Sequence, residues 1–188
     1  FGRKRVLLLL DGARITSDRR AGASASFVPP ELISRVEVVR SASSVLYGSD
    51  AISGIINLQS GSREDAGGSF NFHYNQNSRR LASSFTYGHR QGDLSFFSGA
   101  FYGKAGNYHS PEGEIYHSGF ENLSGLLNLG YGNGNRRLEF SYFGARGTDI
   151  GKPGRENRER VYDQYPREEN HFLRLNYSDH RLLKNTRW

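Results

Sequence analysis

Residues Glu31 to Leu58 read ELISRVEVVRSASSVLYGSDAISGIINL. Two apolar runs stand at its ends. The first is Val36-Glu37-Val38-Val39, closed by Arg35 and Arg40. The second is Ile52 to Leu58, broken by Ser53 and Gly54. Short β-branched runs bounded by turn residues read as strands. Ser41 to Asp50 between them is a small-residue step, in which Ser43 or Ser44 can cap one helical turn through Leu46 and Tyr47 that stops at Gly48. The expectation is one small sheet holding Arg35–Val39 and Gly54–Leu58, with Tyr47 near its turn. On an extended strand Arg35 and Glu37 share a face with Val39, and Arg40 shares the other with Val36 and Val38.

Upstream, Val6 to Leu10 is an apolar run ending in Asp11-Gly12, which reads as a buried strand and a turn. Thr16 to Ser26 is small and polar, a loop. Phe27-Val28-Pro29-Pro30 follows, and Pro30 suits the first position of a short helical turn leading into the Arg35 strand. Downstream, Ser60 to Gly67 is a polar, Gly-bearing linker. Beyond it the texture becomes alternation. Phe70, Phe72 and Tyr74 alternate with Asn71, His73 and Asn75. The same period runs through Leu81–Tyr87, Leu94–Tyr102, Leu123–Tyr131, Leu138–Tyr142 and Leu173–Tyr177. With their flanking residues these segments are each about ten residues long, the length of a tilted strand that crosses a bilayer. Their connections alternate in length. Asn77–Arg80, Gln91–Asp93 and Gly132–Arg136 are short, and Lys104–Glu121 and Thr148–Glu169 are long. A soluble β-sandwich also alternates, but its strands are shorter and its loops show no such rhythm.

Three pieces of the opening stretch resemble the end of the plug domain of TonB-dependent outer-membrane receptors: Arg35-Val36-Glu37-Val38-Val39-Arg40, Leu46-Tyr47-Gly48 and Gly54-Ile55-Ile56-Asn57-Leu58. Leu10-Asp11-Gly12 extends the likeness. Ser41-Ala42 stands where that family has Gly-Pro, and Ser53 where it has Gly; these touch turn geometry and not register. The resemblance implies a mainly β chain in three parts. Residues 1–60 would be the C-terminal half of a plug with a small mixed α/β sheet, and 61–67 a linker. Residues 68–188 would be about six antiparallel, up-and-down strands of an incomplete transmembrane β-barrel. With the plug on the periplasmic side of the first strand, Asn77–Arg80 and the two long connections lie outside the cell.

The resemblance also implies a function: TonB-dependent uptake of a scarce ligand across the bacterial outer membrane, the plug gating the barrel. Ferric siderophore is the family's commoner cargo. Haem and cobalamin stay open, as does a non-transporting β-rich binding or adhesion protein. Residues 17–26 contain no His of the kind haem iron would take. The implied partners are the TonB–ExbB–ExbD energy-coupling complex, a metal-chelate or other small-molecule ligand, and outer-membrane lipid. The implied site residues are Arg35, Glu37, Arg40, Tyr47, Gly48 and Gly54 for the plug motif and plug–barrel ion pairs. For ligand they are Arg19, Arg20, Phe27, Tyr108, His109, Tyr116 and His117. The chain is expected to lack the family's signal peptide, its TonB-box segment and the remaining barrel strands.

Composition bounds the rest. The 188 residues hold no Cys, so neither disulfides nor thiolate metal sites are available. Net charge is +6, but the Lys and Arg residues sit at turns and segment ends and not along one face, so nucleic acid is not expected. The 23 Gly, 12 Phe and 11 Tyr suit strands, girdles and turns. None of the 6 His pairs with Glu in a zinc motif, and no nucleophile elbow is present. Neither an enzyme nor a bound cofactor or metal is expected.

Overall fold

In a computed structural model, residues 6–15, 25–40, 54–61, 67–133, 135–152 and 164–180 are described. They form two sheets and a small hairpin. The smaller sheet has the order β2-β1-β4-β3, from Val6–Leu10 (β1), Ala13–Arg14 (β2), Ile33–Val39 (β3) and Gly54–Ser60 (β4). β1 and β4 run parallel, with Val6 opposite Gly54 and Leu10 opposite Leu58. β3 and β4 are antiparallel, with Val36 opposite Leu58 and Val39 opposite Ile55. The two runs of the opening stretch thus lie side by side, as expected. A single 3-10 turn, Pro30–Leu32, feeds β3, with Pro at its start where a missing N–H costs nothing. Tyr47 lies outside the described residues.

Asp11 and Gly12 close β1 onto β2. Both have positive φ, 50° and 78°, the pairing that a type I′ hairpin turn needs. Gly54 is required for a different reason. Its φ is 139°, and a Cβ there would lie 2.5 Å from the Val39 carbonyl oxygen.

The larger sheet is an antiparallel meander of six strands, β5-β6-β7-β10-β11-β12. Its strands are Gly67–Asn75 (β5), Arg80–Gln91 (β6), Leu94–Ala105 (β7), Phe120–Gly132 (β10), Arg136–Gly151 (β11) and Gln164–Asp179 (β12). All six alternating segments became strands. β11 and β12 are longer than the sequence suggested, 16 residues each. Ladder hydrogen bonds carry both past their apolar stretch, so Gly151 pairs with Gln164. Polar residues end an apolar pattern without ending backbone pairing. In the connection after β7, His109–Ser110 (β8) and Gly113–Glu114 (β9) form a hairpin.

Register defines the two faces. Phe70 lies opposite Phe85 and Tyr74 opposite Leu81. The same parity carries through Leu123, Leu127 and Leu129 to Tyr142, Leu173 and Leu175. This face is exposed: Phe70 at 69% and Leu173 at 68% are among the most open apolar residues described. The opposite face carries the small sheet. The sheet does not close on itself: β5 and β12 are its ends.

Candidate functional site

The two sheets meet through an apolar cluster. Leu10, Ile15, Phe27, Val28 and Leu32 come from the small sheet and its flanks, and Ala82, Phe97, Phe101, Leu126, Phe143 and Ala145 from the large one. Phe27 is 6% exposed. Its ring stacks on Phe172 at 5.6 Å between centroids, 6° from parallel, and sits 6.2 Å from Phe143. Gly99 makes room for this approach, since a Cβ there would lie 2.9 Å from a Leu32 methyl.

The sequence reading missed the large sheet's share of this cluster. Its signal was the local failure of alternation. Phe96-Phe97, Phe101-Tyr102, Leu126-Leu127, Tyr142-Phe143 and Phe172-Leu173 are adjacent apolar pairs. In each pair one residue faces away and the other faces the small sheet. A β-sheet apolar on one face only would not contain such pairs.

Toward the end of the large sheet that carries the short turns, the interface becomes polar. Asn128 donates to Ser60 Oγ at 2.8 Å. Ser60 donates its N–H and hydroxyl to the two oxygens of Asp11, at 2.8 and 2.7 Å. Arg174 donates to the Asp11 carbonyl oxygen. Around them lies a cavity of about 440 Å³, also walled by Ser34, Asn57, Gln59, Arg137, Glu139 and Ser141. At the long-connection end, Glu31 and Arg80 form a looser ion pair at 3.7 Å.

Two cavities adjoin at that same end. One, about 250 Å³, is bounded by Ser26, Phe27, Phe120, Asn122, Ile150 and Glu168. The other, about 410 Å³, is bounded by Asn107, Glu114, Tyr116, His117, Asp149 and Gln164. Gly119 and Gly151 border both, tied by a 2.9 Å hydrogen bond from the Gly151 N–H to the Gly119 carbonyl. His117 and Asp149 both hold positive φ, 57° and 51°. Non-glycine residues rarely rest there, and such strain gathers at binding sites and tight turns. Among the described residues no group of three or more His, Asp or Glu side chains could hold a metal ion.

The expected site residues separate into groups. Phe27 borders one outer cavity, and Tyr116 and His117 border the other. Tyr108 and His109 do not border either. His109 instead pairs its backbone with the Asn77 side chain, donating to Oδ1 at 2.6 Å and accepting from Nδ2 at 2.9 Å. Arg35 and Glu37 share a face and pair with each other at 3.5 Å, and Glu37 accepts from Asn57 at 3.3 Å. Arg40 is exposed. Arg19, Arg20, Tyr47 and Gly48 lie outside the described residues.

Comparison with known proteins fits this geometry. Residues 1–55 match the TonB-dependent Receptor Plug Domain. Over 69 residues the chain is 45% identical to the vitamin B12 transporter BtuB of Vibrio vulnificus, a match covering 37% of this chain and 11% of that protein. It is 41% identical over 59 residues to a hemin receptor of Yersinia enterocolitica, covering 31% of this chain and 8% of that one. Among solved structures, the ferric enterobactin receptor PfeA superposes with a TM-score of 0.64 at 15% identity, over 95% of this chain and 31% of that one. Most of the small sheet thus lies within the residues that match the plug, and both sheets follow the fold of such a receptor. The proteins it matches are transporters and receptors, not enzymes. Residues 1–55 thus carry the sequence of a TonB-dependent receptor plug, and the chain, which spans about a tenth of the length of the relatives it matches, shares its fold with such receptors.

Proposed function

We propose that the chain is part of an outer-membrane transporter that takes up a scarce small molecule with energy from the TonB–ExbB–ExbD complex. Residues 1–60 act as the gate, 61–67 as the link and 68–188 as wall. The observation that carries this reading is the two-faced large sheet. One face is an exposed apolar surface of strands long enough to cross a bilayer, and the other is covered by a plug that matches the family in sequence. A contiguous exposed apolar face of this kind marks a membrane or protein interaction surface.

Ligand enters from the side of the long connections, at the adjoining cavities around Phe27 and His117. Tyr116 contributes to the same surface, and Arg19, Arg20, Tyr108 and His109 are further candidate ligand contacts. Arg35, Glu37 and Arg40 pair with wall strands beyond the six described. The exposure of Arg35 and Arg40 supports this. Ferric siderophore is the leading ligand, supported by the fold shared with a ferric enterobactin receptor. Cobalamin is the second reading, favoured by the 45% identity to a vitamin B12 transporter.

The test is uptake by cells carrying the full-length gene, with ferric enterobactin, cyanocobalamin and haem offered separately. The proposal expects accumulation of one of them that a protonophore abolishes. Binding with no energy-dependent accumulation would favour the adhesion or binding alternative.

A further inference from the structure

The plug meets the wall through two kinds of contact, and they do different work. The apolar cluster is non-directional; it favours contact but not one orientation. Hydrogen bonds have direction, so registry must come from the polar contacts. Two groups of described residues make such contacts from plug to wall. The Glu31–Arg80 pair is long, and Glu31 Oε2 and Arg80 Nε are buried without hydrogen-bond partners. The other is the group Asp11, Ser60, Asn128 and Arg174. Its bonds are short, and Ser60 and Asn128 are 7% and 4% exposed.

The Asp11-Gly12 turn is shaped for this group. The Asp11 N–H is taken by the Leu58 carbonyl at 2.8 Å, and the Gly12 N–H by Asn57 Oδ1 at 3.0 Å. The turn is thereby locked to β4 from inside the plug. What remains, the Asp11 carbonyl and the Ser60 hydroxyl, faces the wall and meets Arg174 and Asn128 there. Both wall residues occupy one level of the sheet, since Asn128 lies opposite Ser141 and Ser141 opposite Arg174.

We propose that Asn128 and Arg174 are positioning residues that seat the plug in the wall by reading the Asp11-Gly12 turn and Ser60. The seat lies at the short-turn end, away from the ligand cavities. It fixes the register of the Asp11-Gly12 turn and the end of β4 against the wall, while Phe27 is held separately by the apolar cluster. The inference rests on residues 1–60 acting as a plug, but it needs neither a ligand nor an energy source.

Hydrogen exchange read by mass spectrometry on the detergent-solubilised full-length receptor tests it. Asn128→Ala and Arg174→Leu should speed exchange of plug peptides spanning 7–14 and 54–61 by about tenfold or more, the scale of a buried polar group losing its partner. The peptide spanning 27–33 should keep its wild-type rate, as should the wall strands. Arg174→Lys, which still offers a donor, should restore most of the protection, and so should Asn128→Ser. In a Ser60→Ala background, Asn128→Ala should add little. No acceleration in either variant would overturn the proposal. So would equal acceleration at 27–33, which marks general loosening, or a failure of the conservative variants to rescue. A receptor that takes up none of the offered ligands would still report these rates, so the two readings fail separately.

Discussion

Replacing Phe27 by Ala tests whether the apolar cluster holds the plug. Phe27 is almost fully buried, stacked on Phe172 and close to Phe143. Truncating such a side chain costs about 3–5 kcal/mol, because transfer and cavity terms add. The loss falls on plug docking and not on the wall, whose strands keep their ladders. At about 1.4 kcal/mol per tenfold, the docked state should weaken by roughly two to three and a half decades. The assay is urea titration of the full-length receptor in detergent, with plug release followed by proteolysis and wall integrity by heat-modifiable gel migration. The plug-release midpoint should fall well before any change in the wall. A shift for Phe27→Ala no larger than about 1 kcal/mol, or simultaneous loss of plug and wall, would refute the reasoning.

Gly99→Leu should unseat the plug more severely than Phe27→Ala, since even a Cβ there crowds Leu32 and Leu126, at 2.9 and 3.3 Å; the same titration reads it. Asn77→Ala should free the β8–β9 hairpin from the neighbouring turn, losing both backbone bonds to His109, and limited proteolysis of intact cells should cut near Ser110 faster while the wall stays intact. Residues 1–188 produced alone should aggregate without detergent, because β5 and β12 leave open edges beside a large apolar face. A sharp monomer peak with cooperative unfolding would instead favour a soluble β-sandwich.

Much of this architecture was legible because strand periodicity is a local property. Glu37 and Val38 declared a strand, Asp11-Gly12 a turn, and Phe70 to Tyr74 a two-faced strand, each from a few neighbours. The interface was not legible in the same way. Phe97 and Phe143 were hidden because both parities are apolar where the plug covers the wall, and an alternation search keeps only one of them. Asn128 and Arg174 were hidden for another reason. Each is an ordinary polar residue in its own strand, and only the long-range fold brings it to Ser60 and Asp11. The outer site was partly legible: aromatic and His residues in a long connection marked Tyr116 and His117, while the role of Asn77 in ordering His109 came from a turn that carried no chemical signal.

Lipid exposure along β12 tests the central claim most directly. Nitroxide labels placed singly at Leu173, Arg174 and Leu175 of the full-length receptor in liposomes can be read by collision with oxygen, enriched in lipid, and with a water-soluble nickel chelate. Leu173 and Leu175 face away from the plug, and Arg174 faces it. The account predicts high oxygen and low nickel collision at 173 and 175, with low oxygen collision at 174. Equal accessibility at all three positions, or nickel collision dominating at 173 and 175, would contradict a membrane-spanning wall.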